Sequence, residues 1–488
     1  MITVPSAVVY LIGLGVLASA PLGLPFSFSS SEPRSSDPCL GTAARSSSVL
    51  LATWLTIGIL TNYAMTLVMG SLGTVMCLGI PLSFGGFALL LAKLVAARRR
   101  IHPGSESQAR GARASRLPRW AGLLIFWISL LLIAALLATP ILGDPLTSWD
   151  ARSIWFFQAK MIYYAGALSP AMGFSDVPWS HADYPKLLSS VAGQLAFAAG
   201  FWNEYLPKGA ELLLLLPVVL GYASFYRADL SFVFLVSLSL LAVGGQFWAG
   251  YADGALALLA GLAALTLGRW LIDRDIRDLS LGIISLGACS SLKNEGAPLA
   301  LLILACFSVA SWARGLRPIG GRAPAMAYLA VAASFGFVAW EVKKSTWGLT
   351  GDFVPSADLV QRISTRLAGD GMQRIFRSFF GDGELLAAIA PWVIALGLAL
   401  AARSPIPVAT WIAAASATLY TCVLALTYLM TPFDLDWHLT TSASRTLIAP
   451  AVLWYAASYW ILSSIERTAR AQRPGPAGRR GMEVAMTP

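Results

Sequence analysis

The chain has 488 residues, of which 57% are hydrophobic and only 12% charged, and a mean hydropathy of +0.67. Apolar runs of 15 to 24 residues recur along it, which excludes a soluble globular domain and implies bilayer-spanning helices, since about 20 residues cross the hydrocarbon. The net charge of +10 raises nucleic acid as a partner, but the arginines fall in short segments between apolar runs, the pattern of cytoplasmic loops, and this argues against a nucleic-acid binder.

The expected fold is an all-α polytopic membrane protein, because lipid leaves no partner for a backbone that is not helical or closed into a barrel, and no alternating strands are visible. Apolar segments lie near 6–26, 48–69, 72–94, 120–140, 187–202, 209–225, 231–247, 250–269, 279–292, 296–313, 324–341, 384–402, 405–429 and 446–464, giving 13 or 14 helices. The first of them lacks the basic start of a signal peptide and is read as a membrane helix. Arginine-rich segments at 98–119, 269–277, 314–322, 403 and 467–480 should lie in the cytoplasm, and this places 141–186, Tyr251 to Gly254, Lys293 to Gly296, 342–383 and Thr431 to Arg445 together on the other face. Parity then fails once: three segments between 187 and 247 cannot all cross, so one dips in and returns.

The expected organisation is an N-terminal three-helix membrane unit over 1–96, a basic cytoplasmic linker over 97–118, a catalytic membrane domain over 119–466 and a disordered cytoplasmic tail over 467–488. The linker and tail are rich in Arg, Ser, Gly and Pro. Segment 342–383, with Asp352, Arg362, Arg366, Arg374 and Arg377 spaced among apolar residues, predicts one or two amphipathic helices at the interface. The five cysteines, Cys39, Cys77, Cys289, Cys306 and Cys422, show neither a disulfide framework nor metal spacing.

The loop from Ile141 to Lys186 concentrates chemistry. Asp150 opens the helical stretch Trp149 to Lys160, where it would either cap the helix or act as a general base beside a dry cleft. Asp144, before Pro145, reads as a turn residue. At the end of the loop, Asp183 and Pro185 suit the start of the next helix, while His181 and Lys186 are left without a structural reason. Lys293-Asn294-Glu295-Gly296 interrupts more than thirty apolar residues; it is either a salt bridge stabilising a hairpin or a lysine that binds an anionic headgroup. Asp253 reads as a helix cap or as a second carboxylate lining the same cleft. Arg445, read as the start of the last helix, opposes the helix dipole and needs an anionic partner, either a phosphate or one of Asp434 and Asp436. His181 and His438 with Asp436 do not have the spacing of a metal site, and no metal is expected.

The combination of Asp150 in the first large loop, Tyr184-Pro185-Lys186-Leu187 entering the next helix, Asp253, and Ser291-Leu292-Lys293-Asn294-Glu295-Gly296 resembles the GT-C superfamily of polytopic glycosyltransferases, in particular the family 39-like relatives of protein O-mannosyltransferases and aminoarabinose lipid A transferases. The resemblance spans about 120–300 and, more weakly, 430–464. It departs from the mannosyltransferase pattern in that Asp150 is followed by Ala151 and Arg152 rather than by Glu, and in that the doubled proline is Tyr184-Pro185. It implies a polyprenyl-phosphate monosaccharide donor, a glycan or glycolipid acceptor, no required metal or other cofactor, and an active site on the periplasmic side of a bacterial inner membrane. Under it Asp150 is the catalytic base, and Lys293, Arg445, Lys186 and Arg152 hold the donor phosphate. Trp149, Trp155, His181, Tyr184, Asp253, Glu295 and His438 line the substrate pocket. The rival expectations are a transporter or flippase, or a polymerase or ligase, for lipid-linked glycans.

Overall fold

In a computed structural model the chain is described over residues 4–22, 40–100, 143, 145–170, 176–226, 230–316, 323–351, 358–381 and 383–472. The helix expected over 120–140, most of the basic linker, Asp144, Asp352 and the tail beyond 472 lie outside the described residues. The described chain is helical, with no strand and one isolated bridge between Ser71 and Ala167. Its helices are α1 (Val4–Ala18), α2 (Leu40–Met69), α3 (Leu72–Arg100), α4 (Phe156–Ala165), α5 (Leu187–Ala199), α6 (Gly209–Ala223), α7 (Leu230–Ala249), α8 (Ala252–Asp273) and α9 (Ile276–Leu292). There follow α10 (Gly296–Ala313), α11 (Ala323–Thr346), α12 (Leu359–Ala368), α13 (Gly371–Phe380), α14 (Glu384–Ala401), α15 (Val408–Met430), α16 (Leu435–Thr446) and α17 (Ile448–Ala471).

Among the described residues nine helices are long and apolar enough to cross a membrane, and Val4–Ala18, Leu187–Ala199 and Leu230–Gln246 form shorter apolar stretches. The protein is therefore a multi-pass membrane protein. Helix α8 is its spine: every residue from Ala252 to Leu271 is buried, as expected of a helix that is apolar all round and enclosed by other helices. Helices α7, α9, α15 and α17 pack against it.

The two ends of α8 carry different charge networks. At its C-terminal end Arg269 forms a two-pronged ion pair with Asp278 (2.8 and 2.6 Å) and donates to Ser224 at the end of α6, and Arg45 of α2 bridges Asp273 (2.7 Å) and Asp278 (3.1 Å). Arg274, Arg314 and Arg403 follow the ends of α8, α10 and α14, and Arg467 lies in the late turns of α17. Asp253 lies sixteen residues earlier on α8, about 24 Å away along the helix, and belongs to the other end.

These anchors resolve the parity of the middle segments. Helix α6 finishes at the arginine end, where Ser224 meets Arg269. Helix α7 starts there, since Ser231 bonds Glu466 of α17, and it finishes at the Asp253 end, where Ser148 donates to the carbonyl of Ala249. Helix α5 is then the segment that does not cross: its 13 residues reach only about 20 Å, and both it and the start of α6 lie at the Asp253 end. The amphipathic helices expected within 342–383 are α12 and α13. Arg366 of α12 donates to the carbonyls of Tyr428, Leu429, Thr431 and Phe433, so a cation satisfies the open C-terminal carbonyls of α15.

This topology predicts that single cysteines at the exposed positions Trp179 and Tyr205 react with a membrane-impermeant maleimide from the same side, and a cysteine at Tyr226 from the opposite side. Labelling of 179 and 205 from opposite sides would mean that α5 crosses the bilayer.

Candidate functional site

Five charged side chains from four distant segments meet at the Asp253 end of α8. The Asp150 carboxylate is ion-paired with Arg445. Arg445 also lies 4.0 Å from Asp253, and its guanidinium stacks over the Tyr251 ring at 4.7 Å. Lys293 bonds Asp253 at 2.8 Å and Glu295 at 3.2 Å. The pairs grade from the interior to the rim: Asp253 and Lys293 are buried, whereas Asp150, Arg445 and Glu295 retain 16 to 24% of their side-chain exposure.

Each element delivers its residue for a local reason. The segment 148–151 docks on the α7–α8 junction through Ser148 and against Gly250, whose φ is +85° and where a Cβ would lie 2.8 Å from the Ala151 side chain. Asp150 does not cap a helix with its side chain; it precedes a π-helical turn, Ala151–Trp155, and its carboxylate points away to Arg445. Lys293 sits in the extended break between α9 and α10, where its side chain turns inward. Gly296 permits that tight turn, since a Cβ there would lie 1.9 Å from the Cys289 carbonyl.

Arg445 corrects an expectation. Residues 435–471 form two helices broken at Leu447, so Arg445 lies in the last turn of α16 and not at the start of the final helix. The dipole there favours a cation. Its partner is also neither Asp434 nor Asp436: Asp434 caps α16 by accepting from the Trp437 amide, and Asp436 pairs with Arg374 of α13 at 2.9 Å.

Several expected site residues lie elsewhere. Lys186 is fully buried, donates to the Ala182 carbonyl at 2.8 Å and covers the Trp340 ring at 4.8 Å; burial pushes its ammonium well below the usual lysine value, against the opposing pull of Asp183. Asp183 does not cap α5; it accepts from Asn294 at 2.6 Å, tying the end of the first loop to the turn that carries Lys293. Trp155 is buried and packs on Tyr184, which stacks on His181. These rings support the loop, together with buried Gln158, which donates to the carbonyls of Ser180 and His181. His438 packs against Tyr428 and Phe433, and Arg152 is exposed. Trp149, next to Asp150 in the chain, is 63% exposed.

The cluster holds three carboxylates against two cations. Asp253 Oδ2 and Glu295 Oε2 are buried and accept no hydrogen bond among the described residues, so they retain acceptor capacity for hydroxyl groups. Burial alone would lower the Lys293 ammonium, but Asp253 and Glu295 outweigh that and hold it above the ordinary lysine value. A raised value in the folded state stabilises at every pH below the ordinary lysine value and is lost as pH rises through the raised one, so this contribution is flat across about pH 6–9. The sequence reading missed the neighbouring wall of Asp370 and Arg374 on α13 with Asp436. The i, i+4 and i+7 spacing of Asp370, Arg374 and Arg377 marks one polar helix face, and that was its only signal in the sequence.

Removing one member of the inner pair should cost far more than removing both. Asp253→Ala leaves Lys293 short of its main partner and should lower unfolding stability by about 3–5 kcal/mol, whereas Asp253→Leu with Lys293→Met should recover a large part of that. Denaturation of the purified protein in detergent measures both, and equal losses would contradict the pairing.

Compared with known proteins, the chain matches no protein-family model, no curated protein and no solved structure.

Proposed function

We propose that this protein is a GT-C-like glycosyltransferase that takes a monosaccharide from a polyprenyl phosphate and transfers it to a lipid-linked glycan, lipopolysaccharide or envelope polysaccharide, on the periplasmic side of a bacterial inner membrane. The observation that carries the reading is the convergence of Asp150, Asp253, Lys293, Glu295 and Arg445 at one end of the helical bundle. Two carboxylate oxygens there still lack donors; sugar hydroxyls supply such donors, and unmade hydrogen bonds to buried charged groups are costly.

In this reading the acceptor oxygen attacks the sugar C1, and the bond from C1 to the phosphate oxygen breaks. The electron pair leaves with polyprenyl phosphate, and the acceptor proton passes to the Asp150 carboxylate. Because Asp150 and Arg445 neutralise each other at rest, the donor phosphate has to take Arg445 from Asp150. Donor binding thereby frees the base, and Arg445 with Lys293 stabilises the charge that grows on the leaving phosphate.

Asp150→Asn should lower turnover by about 10²–10⁴-fold, the usual worth of a general base, while donor binding stays equal or becomes tighter, since a competitor for Arg445 is gone. Arg445→Ala should weaken donor binding itself. Radiolabelled-sugar transfer and donor binding by the purified protein measure both; Asp150→Asn protein with full turnover would remove the base assignment.

A transporter of the same lipid-linked substrates is the second reading, favoured by the second charge network at the opposite end of α8, where Arg269 and Asp278 are buried and Arg45 and Asp273 partly exposed. Alternating access would need the two networks to open in turn. Movement of a labelled lipid-linked sugar across protein-containing vesicles, with its glycosidic bond intact, would select it.

A further inference from the structure

A cleft of about 780 Å³ lies between α13 and α16, within the size range of small-molecule sites. Asp370, Arg374 and Arg377 form one wall, Asp436, Thr440 and Ser444 the other, and Glu384 also lines it. On the far side of α13 a second, apolar groove of about 260 Å³ is lined by Ile375, Phe376, Phe379 and, from α17, Trp454. Phe379 borders both. Helix α13 is thus a partition with a polar space on one face and a greasy one on the other.

The charges of the polar cleft say what it is suited to hold. Three carboxylates stand against two guanidinium groups, and Arg374 is already bracketed by Asp370 at 2.7 Å and Asp436 at 2.9 Å, which leaves the exposed Arg377 as the cation an anionic headgroup would meet. Interleaved acceptors and donors with three hydroxyl side chains, Ser378, Thr440 and Ser444, match a neutral polyhydroxylated ligand, whose every OH both gives and takes a hydrogen bond. Ser444 lines the cleft, and the next residue, Arg445, holds Asp150.

We infer that this composite site binds the acceptor, a neutral glycolipid, with its sugar headgroup in the cleft between α13 and α16 and its hydrocarbon chain in the groove beneath α13. The inference rests on the transferase reading for the word acceptor, but its test is a binding equilibrium without donor or turnover, so the two fail separately.

Full-length protein in lipid nanodiscs is titrated with octyl glucoside, glucose and octyl phosphate by calorimetry. Octyl glucoside should bind about tenfold or more tightly than either of the others, because only it fills both spaces. Arg377→Ala with Glu384→Gln, both exposed positions, should weaken octyl glucoside by about tenfold through lost hydrogen bonds. Ala425→Trp, which fills the apolar groove, should reduce octyl glucoside to the affinity of glucose. Octyl phosphate binding as tightly as octyl glucoside, or octyl glucoside binding unchanged by both sets of substitutions, would overturn the assignment.

Discussion

The architecture depends on one electrostatic constraint: a charge taken to the edge of the hydrocarbon must bring its counter-charge with it. Asp253 and Lys293 are enclosed by helices, and each would be expensive alone. Their pairing fixes the start of α8 against the break between α9 and α10, and Arg445 then draws the end of α16 and the Asp150 segment onto the same spot. The cluster therefore ties four distant segments of the chain together at one point. Its unequal count, three carboxylates to two cations, leaves it electrostatically unfinished.

The apolar bundle makes this possible by keeping the site's elements at one level. Helix α8, buried along nearly its whole length, is held at its other end by Arg269, Asp278 and Arg45. With both ends anchored it cannot slide by a turn without breaking buried pairs. The short helices α4 and α5 and the amphipathic α12 and α13 lie around the Asp253 end, where α13 and α16 enclose the polar cleft. The span of the bilayer, about 20 residues per crossing, is what separates these irregular pieces from the regular helices.

Much of this was legible in the sequence because polar residues are rare in it. Hydropathy located the long apolar helices among the described residues, with ends that differ by up to eight residues, and carboxylates and cations that interrupt apolar runs, such as Asp253 and Lys293, could be singled out without coordinates. The salt bridge between Lys293 and Glu295 was one of the two readings of its turn, but burial and the longer-range partners were not legible. Lys186 and Trp155 have the residue types of a binding site yet spend them on the Ala182 carbonyl and on Tyr184. Arg445 was placed on the wrong end of a helix although Pro450, in the first turn of α17, marks the break at Leu447, and its partner Asp150 lies almost three hundred residues away. The wall formed by Asp370 and Arg374 read as an ordinary polar helix face, since only the opposing α16 turns it into a cleft.

In the proposed transferase the lipid phosphate and Asp150 compete for Arg445, and a structure of the protein with a polyprenyl-phosphate donor analogue bound would reveal that competition. The account predicts the phosphate oxygens on Arg445 and the Asp150 carboxylate released toward the reacting carbon. The analogue bound elsewhere, with the Asp150–Arg445 pair undisturbed, would contradict it.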